Sequence, residues 1–290
     1  MKRIDLHMHT NISDGSDSLE EIIIRVREAG LDLFSVTDHD AIKAGTDLPL
    51  LYAKCAPEER LPYIRGVEFS CKDEQGKYHI LGYGYDPEVP GIGEVVREGH
   101  ELRMKKTSAR LEFLKEEFGF EFPEEEITEL LARDNPGKPH IAALMIRHGY
   151  AETIKQAMTD YIDKKRFGNA NVRPEKAIEG ILKSGGIPVL AHPAYGSGDD
   201  LILGEEMDER LQHLMEYGLA GVEAYYSGFT PRIQSGMLEL AEKYDLYVTA
   251  GSDYHGSVKL VQLGDTNLED LSEAPDGMRR FLEDVEILNG

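Results

Sequence analysis

The chemistry in this 290-residue chain gathers where histidine and carboxylate recur at short spacings. His7-Met8-His9 sets two imidazoles two residues apart, and the period of a strand puts both on one side, close enough to bind one ion. Asp253-Tyr254-His255 repeats that spacing near the far end of the chain. Between them lie Asp14 in Ser13-Asp14-Gly15, His39 in Thr37-Asp38-His39-Asp40, Glu68 in Gly66-Val67-Glu68-Phe69-Ser70, His79, and His192 in Ala191-His192-Pro193. Taken singly, each has an ordinary explanation: two histidines on a strand, a turn aspartate, a polar loop, a paired carboxylate. Together these few strand segments hold six of the ten histidines along with several carboxylates, and the ordinary explanations would have to coincide repeatedly. Imidazole and carboxylate without thiolate form a donor set for Mn²⁺, Fe²⁺ or Zn²⁺, and the sequence does not choose among them. His100, His148 and His213 fall in polar helical contexts and read as surface residues.

Strand ends must carry these groups. Residues 4–9 alternate, with Ile4, Leu6 and Met8 on one face and Asp5, His7 and His9 on the other. Ser18 and Glu21 form a capping box, after which Leu19, Ile22, Ile23, Val26 and Ala29 mark a helical stripe that Gly30 ends. Residues 33–37 read as a second strand, and this βαβ opening implies a parallel sheet. Five more strands are expected at 63–69, 78–85, 187–191, 221–226 and 246–250, the last three preceded by helices at 174–184, 208–217 and 230–244. Seven strands with interleaved helices fit an incomplete TIM-like α/β barrel better than a two-halved open sheet. In such barrels catalytic groups cluster at the C-terminal strand ends. His79, early in its strand, fits that rule less well than the others.

Residues 91–172 differ in character. Helical patterns dominate at 94–118, 124–133, 140–148 and 153–165, and no strand is expected there. This stretch holds 13 basic and 15 acidic side chains, against 19 and 39 in the remainder, so a nearly neutral helical segment interrupts a very acidic barrel. The expected organisation is a first barrel part at 1–90, an all-helical cap at 91–172 and a second barrel part at 173–290. The basic runs Arg103-Met104-Lys105-Lys106 and Lys164-Lys165-Arg166 either face an anionic substrate or are solvated helix faces. A net charge of −22 argues against stable duplex nucleic-acid binding, which rests on basic patches over phosphates. Cys55 and Cys71 make no disulfide framework, which fits a reducing cytoplasm. The N-terminus lacks the apolar core of a signal peptide, no run approaches the roughly 18 apolar residues of a membrane span, and no partner motif is visible.

The segments His7-Met8-His9, Thr37-Asp38-His39, His192 and Asp253-Tyr254-His255, with Glu68 and His79 between, resemble the motifs of the PHP (polymerase and histidinol phosphatase) superfamily. The resemblance implies a phosphoesterase on a distorted (β/α)7 barrel with the helical segment inserted as a cap. Gly137-Lys138-Pro139-His140-Ile141-Ala142 is similar to the insertion of stand-alone members that hydrolyse nucleotide phosphomonoesters, AMP or 3′,5′-bisphosphate nucleotides; a related group trims RNA from its 5′ end. Two departures stand out: Lys138 replaces the usual arginine, losing a bidentate phosphate contact, and Phe229 stands where histidine is frequent.

By this resemblance His7, His9, Glu68 and Asp253 hold one divalent ion, Glu68 bridges to a second completed by His79 and His192, and Asp14, His39 and His255 hold a third. Two to three transition ions are therefore expected. Three bring +6 and the three carboxylates return −3, so a phosphomonoester dianion meets a positive field inside an acidic protein. A bridging water deprotonated near neutral pH then attacks phosphorus in line. Asp5, on the face of His7 and His9, is a partner for an imidazole N–H, and Asp38 and Glu223 are further supporting carboxylates. Lys138, His140, Arg173 and Ser227 are the candidates for phosphate or leaving-group contacts; no general acid is assigned. The expected substrate is a small phosphorylated molecule, a nucleotide. The alternatives are an exonuclease or phosphodiesterase on short oligonucleotides, a histidinol phosphate phosphatase, and a non-catalytic metal-binding module.

Overall fold

The computed structural model describes residues 2–168, 170–195 and 201–289. Strands β1 (Ile4–Asp5) and β2 (Leu33–Phe34) pair in parallel. Strands β3 (Gly66–Lys72), β4 (Lys77–Tyr83), β5 (Ile187–Leu190), β6 (Gly221–Tyr226) and β7 (Tyr247–Gly251) form a second sheet in that order. Two seams join the sheets into a ring. Parallel bridges Phe34–Tyr63 and His39–Glu68 connect the β2 and β3 segments. On the other side a parallel bridge joins Met8 to Tyr254, and the Leu6 N–H donates to the Ala250 carbonyl at 2.9 Å.

One strand runs backwards. β4 is antiparallel to both β3 and β5, whereas β5, β6 and β7 are parallel to one another. This resolves the position of His79. In a reversed strand the N-terminal half lies at the end where its neighbours finish, and His79 sits opposite Ser70, near the end of β3. At the other end of β4, buried Tyr83 donates its hydroxyl to the Leu6 carbonyl at 2.8 Å and floors the barrel beneath His7.

The first two strands are shorter than their alternation predicts. Past Asp5 the chain is held by single bonds rather than a ladder: the Asp253 N–H donates to the His7 carbonyl and the His9 N–H to the Tyr254 carbonyl, both at 2.8 Å. Asp253 has a left-handed φ of 58°, and its Oδ1 lies 3.5 Å from His7 Nε2 and 3.3 Å from His9 Nε2.

Helix α1 (Leu19–Glu28) starts as its capping box requires, the Glu21 N–H donating to Ser18 Oγ and the Ser18 N–H to Glu21 Oε2. Helix α2 (Lys43–Tyr52) follows β2 and contains Pro49, the kind of residue that masks a helix in a sequence reading. Between β4 and β5 come α3 (Ile92–Phe118), α4 (Glu124–Leu131), α5 (Lys138–Arg147) and the short α6 (Ile154–Gln156). Where one helix is expected over 153–165, α6 passes into a π-turn at Ala157–Tyr161 and a 3-10 turn at Ile162–Lys164. The π-turn carries Tyr161 edge-on to Phe118 and Phe120. This segment has an apolar cluster of its own, including Leu111, Leu114, Ile141, Met145 and Ile162. Helices α7 (Pro174–Lys183), α8 (Glu205–Glu216), α9 (Pro231–Lys243) and α10 (Asp276–Asp284) complete the chain. Among the described residues no helix is long and apolar enough to cross a membrane.

Ring closure leaves no room at Gly66, where a Cβ atom would stand 2.2 Å from Ser35 Oγ and 2.8 Å from the Val36 carbonyl oxygen. Gly66→Ala is expected to lower stability by about 1–3 kcal/mol through overpacking. Urea denaturation checks this, and an unchanged midpoint contradicts the tight β2–β3 seam.

Candidate metal centre

The strand ends deliver their polar groups to one buried point. Glu68, in the middle of β3, is 1% exposed and touches five imidazoles. Its Oε2 lies 3.3 Å from His7 Nε2, 3.2 Å from His9 Nε2 and 3.1 Å from His39 Nδ1. Its Oε1 lies 2.9 Å from His79 Nδ1 and 3.1 Å from His192 Nε2.

The donor atoms fall into sets. His7 Nε2 and His9 Nε2 are 3.2 Å apart, and Asp253 Oδ1 is 3.5 and 3.3 Å from them. With Glu68 Oε2 these are four donors separated by 3.2–3.5 Å in every pair given. Bonds of about 2.0–2.1 Å to a tetrahedral ion require donor separations of about 3.3 Å, so these residues fit one. A second set joins Glu68 Oε1, His79 Nδ1 and His192 Nε2, the two imidazole atoms 3.2 Å apart. A third gathers His9, Asp14, His39 and His255. There Asp14 Oδ1 is 3.3 Å from His255 Nε2 and Asp14 Oδ2 is 3.8 Å from His39 Nε2. His39 turns its other nitrogen, Nδ1, to Glu68 Oε2 at 3.1 Å, so it borders the Glu68–His79 group as well. All nine residues expected as ligands thus converge, and His9 faces two sets, with Nδ1 turned to Asp14 at 3.7 Å.

The charges conflict in the bare protein. Burial works to raise the carboxyls of Glu68, Asp14 and Asp253, yet the surrounding imidazoles hold all three well below the usual range. Burial likewise opposes charge on His9, but Asp253 and Glu68 push it up to about 9. His39 goes the other way, drawn down to about 3 by burial with His9 and His79 adding to it. A divalent cation would satisfy the carboxylates and require neutral imidazoles, so it would replace protons here.

Supporting carboxylates fix the ligands. Glu223, on β6, accepts at Oε1 from His7 Nδ1 at 2.9 Å and at Oε2 from the His192 N–H at 2.7 Å, so it orients donors of two sets. Gly251 is needed beside it, since a Cβ there would stand 2.2 Å from His7 Cβ and 2.3 Å from Glu223 Oε1. Asp38 accepts from the Thr10 N–H, Thr10 Oγ1 and Ser13 Oγ and so shapes the loop that presents Asp14. Asp5 corrects an expectation. Its carboxylate binds no imidazole; it accepts from the N–H groups of His7, Ser252 and Gly264 and from Ser252 Oγ, tying β1 to the loop after β7. The backbone there offers donors closer than either imidazole. The His255 ring is set by its own loop, Nδ1 donating to the Asp253 carbonyl at 2.8 Å.

The residues expected to meet substrate are mostly engaged elsewhere. Lys138 Nζ lies 2.5 Å from Asp163 Oδ1, Arg173 pairs with Glu74 and Glu175, and Ser227 Oγ donates to the Ser252 carbonyl at 2.8 Å. His140 Nδ1 accepts from the Gly137 N–H, and burial, with Arg133 and Arg103, draws its ring down to about 4. The helical segment instead meets the barrel through Arg103, which binds buried Asp40 and approaches Ser70 Oγ at 3.4 Å, while the Asn135 side chain donates to the His39 carbonyl. Arg103 was legible only as part of a basic run. Of the histidines expected on the surface, His213 is half-buried and bonded to buried Asp73 at 2.8 Å.

Residues 5–285 match the family described as the PHP domain. The chain is 29% identical to the phosphoribosyl 1,2-cyclic phosphate 1,2-diphosphodiesterase of Eggerthella lenta, over 87% of this chain and 94% of that protein. It is 27% identical to the 3′,5′-nucleoside bisphosphate phosphatase of Chromobacterium violaceum, over 88% of each. A solved structure from Bifidobacterium adolescentis, described as a metal-dependent phosphoesterase, superposes with a TM-score of 0.81 at 26% identity and covers 98% of this chain and 97% of its own.

Since Glu223 orients His7 and the His192 backbone together, Glu223→Ala is expected to weaken metal affinity about 10- to 100-fold, and Glu223→Gln less. Titration against a chelator of known affinity checks this; wild-type affinity in Glu223→Ala contradicts it.

Proposed function

The chain belongs to the PHP domain family and is a metal-dependent phosphoesterase; within that activity we propose that it hydrolyses phosphomonoesters of nucleotides that carry a second phosphate. The supporting observation is a stripe of cations on α3. Arg103, Lys106 and Arg110 recur at helical spacing, so the stripe leaves the barrel mouth and extends about 10 Å along the helix axis. Arg103 marks its inner end, against Asp40 next to His39. Arg110 marks its outer end, 9% exposed, with its Nε unpartnered and its guanidinium over the Phe167 ring. Between them burial, together with Arg103, Arg110 and Lys138, draws Lys106 down to about 8. Cations crowded like this call for an anion. The protein's own anions here, Asp40 and Asp163, are already paired with Arg103 and Lys138.

In this reading the nine converging residues would hold two or three divalent ions, with Glu68 shared between the first two sets. When bound, such ions act as Lewis acids on phosphoryl oxygens and generate a nucleophile from water at neutral pH. The chain's own residues do the rest. Glu223, Asp38 and Asp5 fix the geometry of the strand ends, and Arg103 and Asn135 hold the His39–Asp40 turn. The α3 cations orient the ester by its second phosphate, leaving the scissile group at the mouth. A substrate bearing an ammonium group, such as histidinol phosphate, would meet this stripe unfavourably.

Two measurements test the reading. Phosphate release is followed from a 3′,5′-bisphosphate nucleotide, AMP, histidinol phosphate and 4-nitrophenyl phosphate with Mn²⁺ present, and kcat/KM is expected to be highest for the bisphosphate. Arg110→Gln and Lys106→Gln should each raise KM for the bisphosphate about tenfold, the worth of one charge-assisted hydrogen bond, with little change for 4-nitrophenyl phosphate. Equal losses on both esters, or a preference for histidinol phosphate, contradict the reading.

A further inference from the structure

The two oxygens of Asp253 have separate partners. Oδ1 faces His7, His9 and His255, at 3.5, 3.3 and 3.4 Å. Oδ2 faces outward, where the Tyr226 hydroxyl donates to it at 3.0 Å and Lys259 Nζ lies at 2.6 Å. Burial, with Asp253 beside it, pushes the Tyr226 phenol up, so it stays a neutral donor. Lys259 is, among the described residues, the one lysine or arginine in contact with a candidate ligand.

Lys259 stands on a loop pinned at both ends. At one end the Ser257 N–H donates to Ser16 Oγ at 2.9 Å, and a Cβ on Gly256 would stand 2.0 Å from that same oxygen. At the other the Gly264 N–H donates to Asp5 Oδ2, and Arg3 holds the Gly264 carbonyl. Between the pins the flanking side chains Val258 and Leu260 stand in solvent, while the lysine alone folds back over the mouth.

A structural brace does not account for this. Oδ2 already has a neutral donor in Tyr226, and an ion pair whose lysine is 41% exposed adds little to stability. What distinguishes Lys259 is a cation on a flexible stem, held on the Asp253 oxygen that the imidazoles of His7, His9 and His255 do not face. A phosphoryl group entering beside Asp253 offers oxygens of higher charge than half a shared carboxylate, and the four-carbon stem lets the ammonium pass from one to the other without moving the backbone.

We propose that Lys259 is a catalytic residue, exchanging Asp253 Oδ2 for a non-bridging oxygen of the phosphoryl group that is hydrolysed. This rests on the phosphomonoesterase reading above. It differs from the role of α3, which grips the second phosphate: Lys259 serves the reacting one, so its effect is the same for every ester. There it offsets the charge on the equatorial oxygens as the transition state forms.

The test uses Lys259→Gln and Lys259→Arg in the metal-loaded protein, with elemental analysis for ions, calorimetry with inorganic phosphate for binding, and turnover of a bisphosphate nucleotide and of 4-nitrophenyl phosphate. Lys259→Gln should keep the wild-type metal content and fold, bind inorganic phosphate at least about tenfold more weakly, and lose kcat/KM by a similar factor on both esters. Lys259→Arg should recover most of the loss, since the charge returns. Unchanged phosphate affinity in Lys259→Gln overturns the proposal, and so does loss of bound metal, which would make the lysine a brace for Asp253. Wild-type protein that holds metal but turns over neither ester overturns the phosphomonoesterase reading first; turnover in the wild type with no deficit in Lys259→Gln overturns the Lys259 role alone.

Discussion

A single carboxylate, Glu68, sits out of water with five imidazoles around it, and the rest of the structure arranges itself to make that tolerable. An ionised side chain so deeply buried is costly unless paired. The imidazoles pair it, but burial opposes their protonation: it draws His39 down to about 3, with His9 and His79 adding to it, while Asp253 and Glu68 push His9 up to about 9. Divalent ions between these donors would supply the missing positive charge without protons. The barrel is the device that brings Glu68 from β3, His79 from β4, His192 from the end of β5, and the two ends of the chain to one point.

The same electrostatics explain how a strongly acidic protein handles an anion. Net charge governs the far field, while a phosphate at the mouth responds to charges within a Debye length. There the basic groups Lys259, Arg103 and Arg110 present positive charge, and divalent ions at the donor sets would add to it. Each basic group is held by the inner structure rather than by propensity alone: Arg103 by Asp40, Lys259 by Asp253, Arg110 by the face of Phe167.

The spacing of side chains made the converging histidines and carboxylates legible, because H-x-H and D-x-H on extended backbone leave few choices of face. The barrel was legible from the number of strands and the helices between them. What could not be read was direction and partnership. His79 looked misplaced because alternation does not reveal that β4 runs backwards. Asp5 looked like an imidazole partner because period two does not tell which neighbour's N–H arrives first. Lys138, expected as a phosphate contact, pairs with Asp163, 25 residues away, which its own segment does not announce. Arg103 and Lys259 gave only the signal of any lysine or arginine, and their roles follow from long-range contacts. Similarly, the break of 153–165 into α6 and a π-turn comes from aromatic packing against Phe118 and Phe120.

The central claim is that Glu68 is shared between ion sites. Replacing it with an isosteric neutral side chain tests this most directly. Elemental analysis of wild-type and Glu68→Gln protein, each reconstituted with Mn²⁺ and freed of excess metal, should show two to three ions per chain in the wild type and a loss of at least two in the variant, with the fold retained by circular dichroism. Loss of a single ion, or wild-type content in Glu68→Gln, would contradict the shared carboxylate and with it this account of the site.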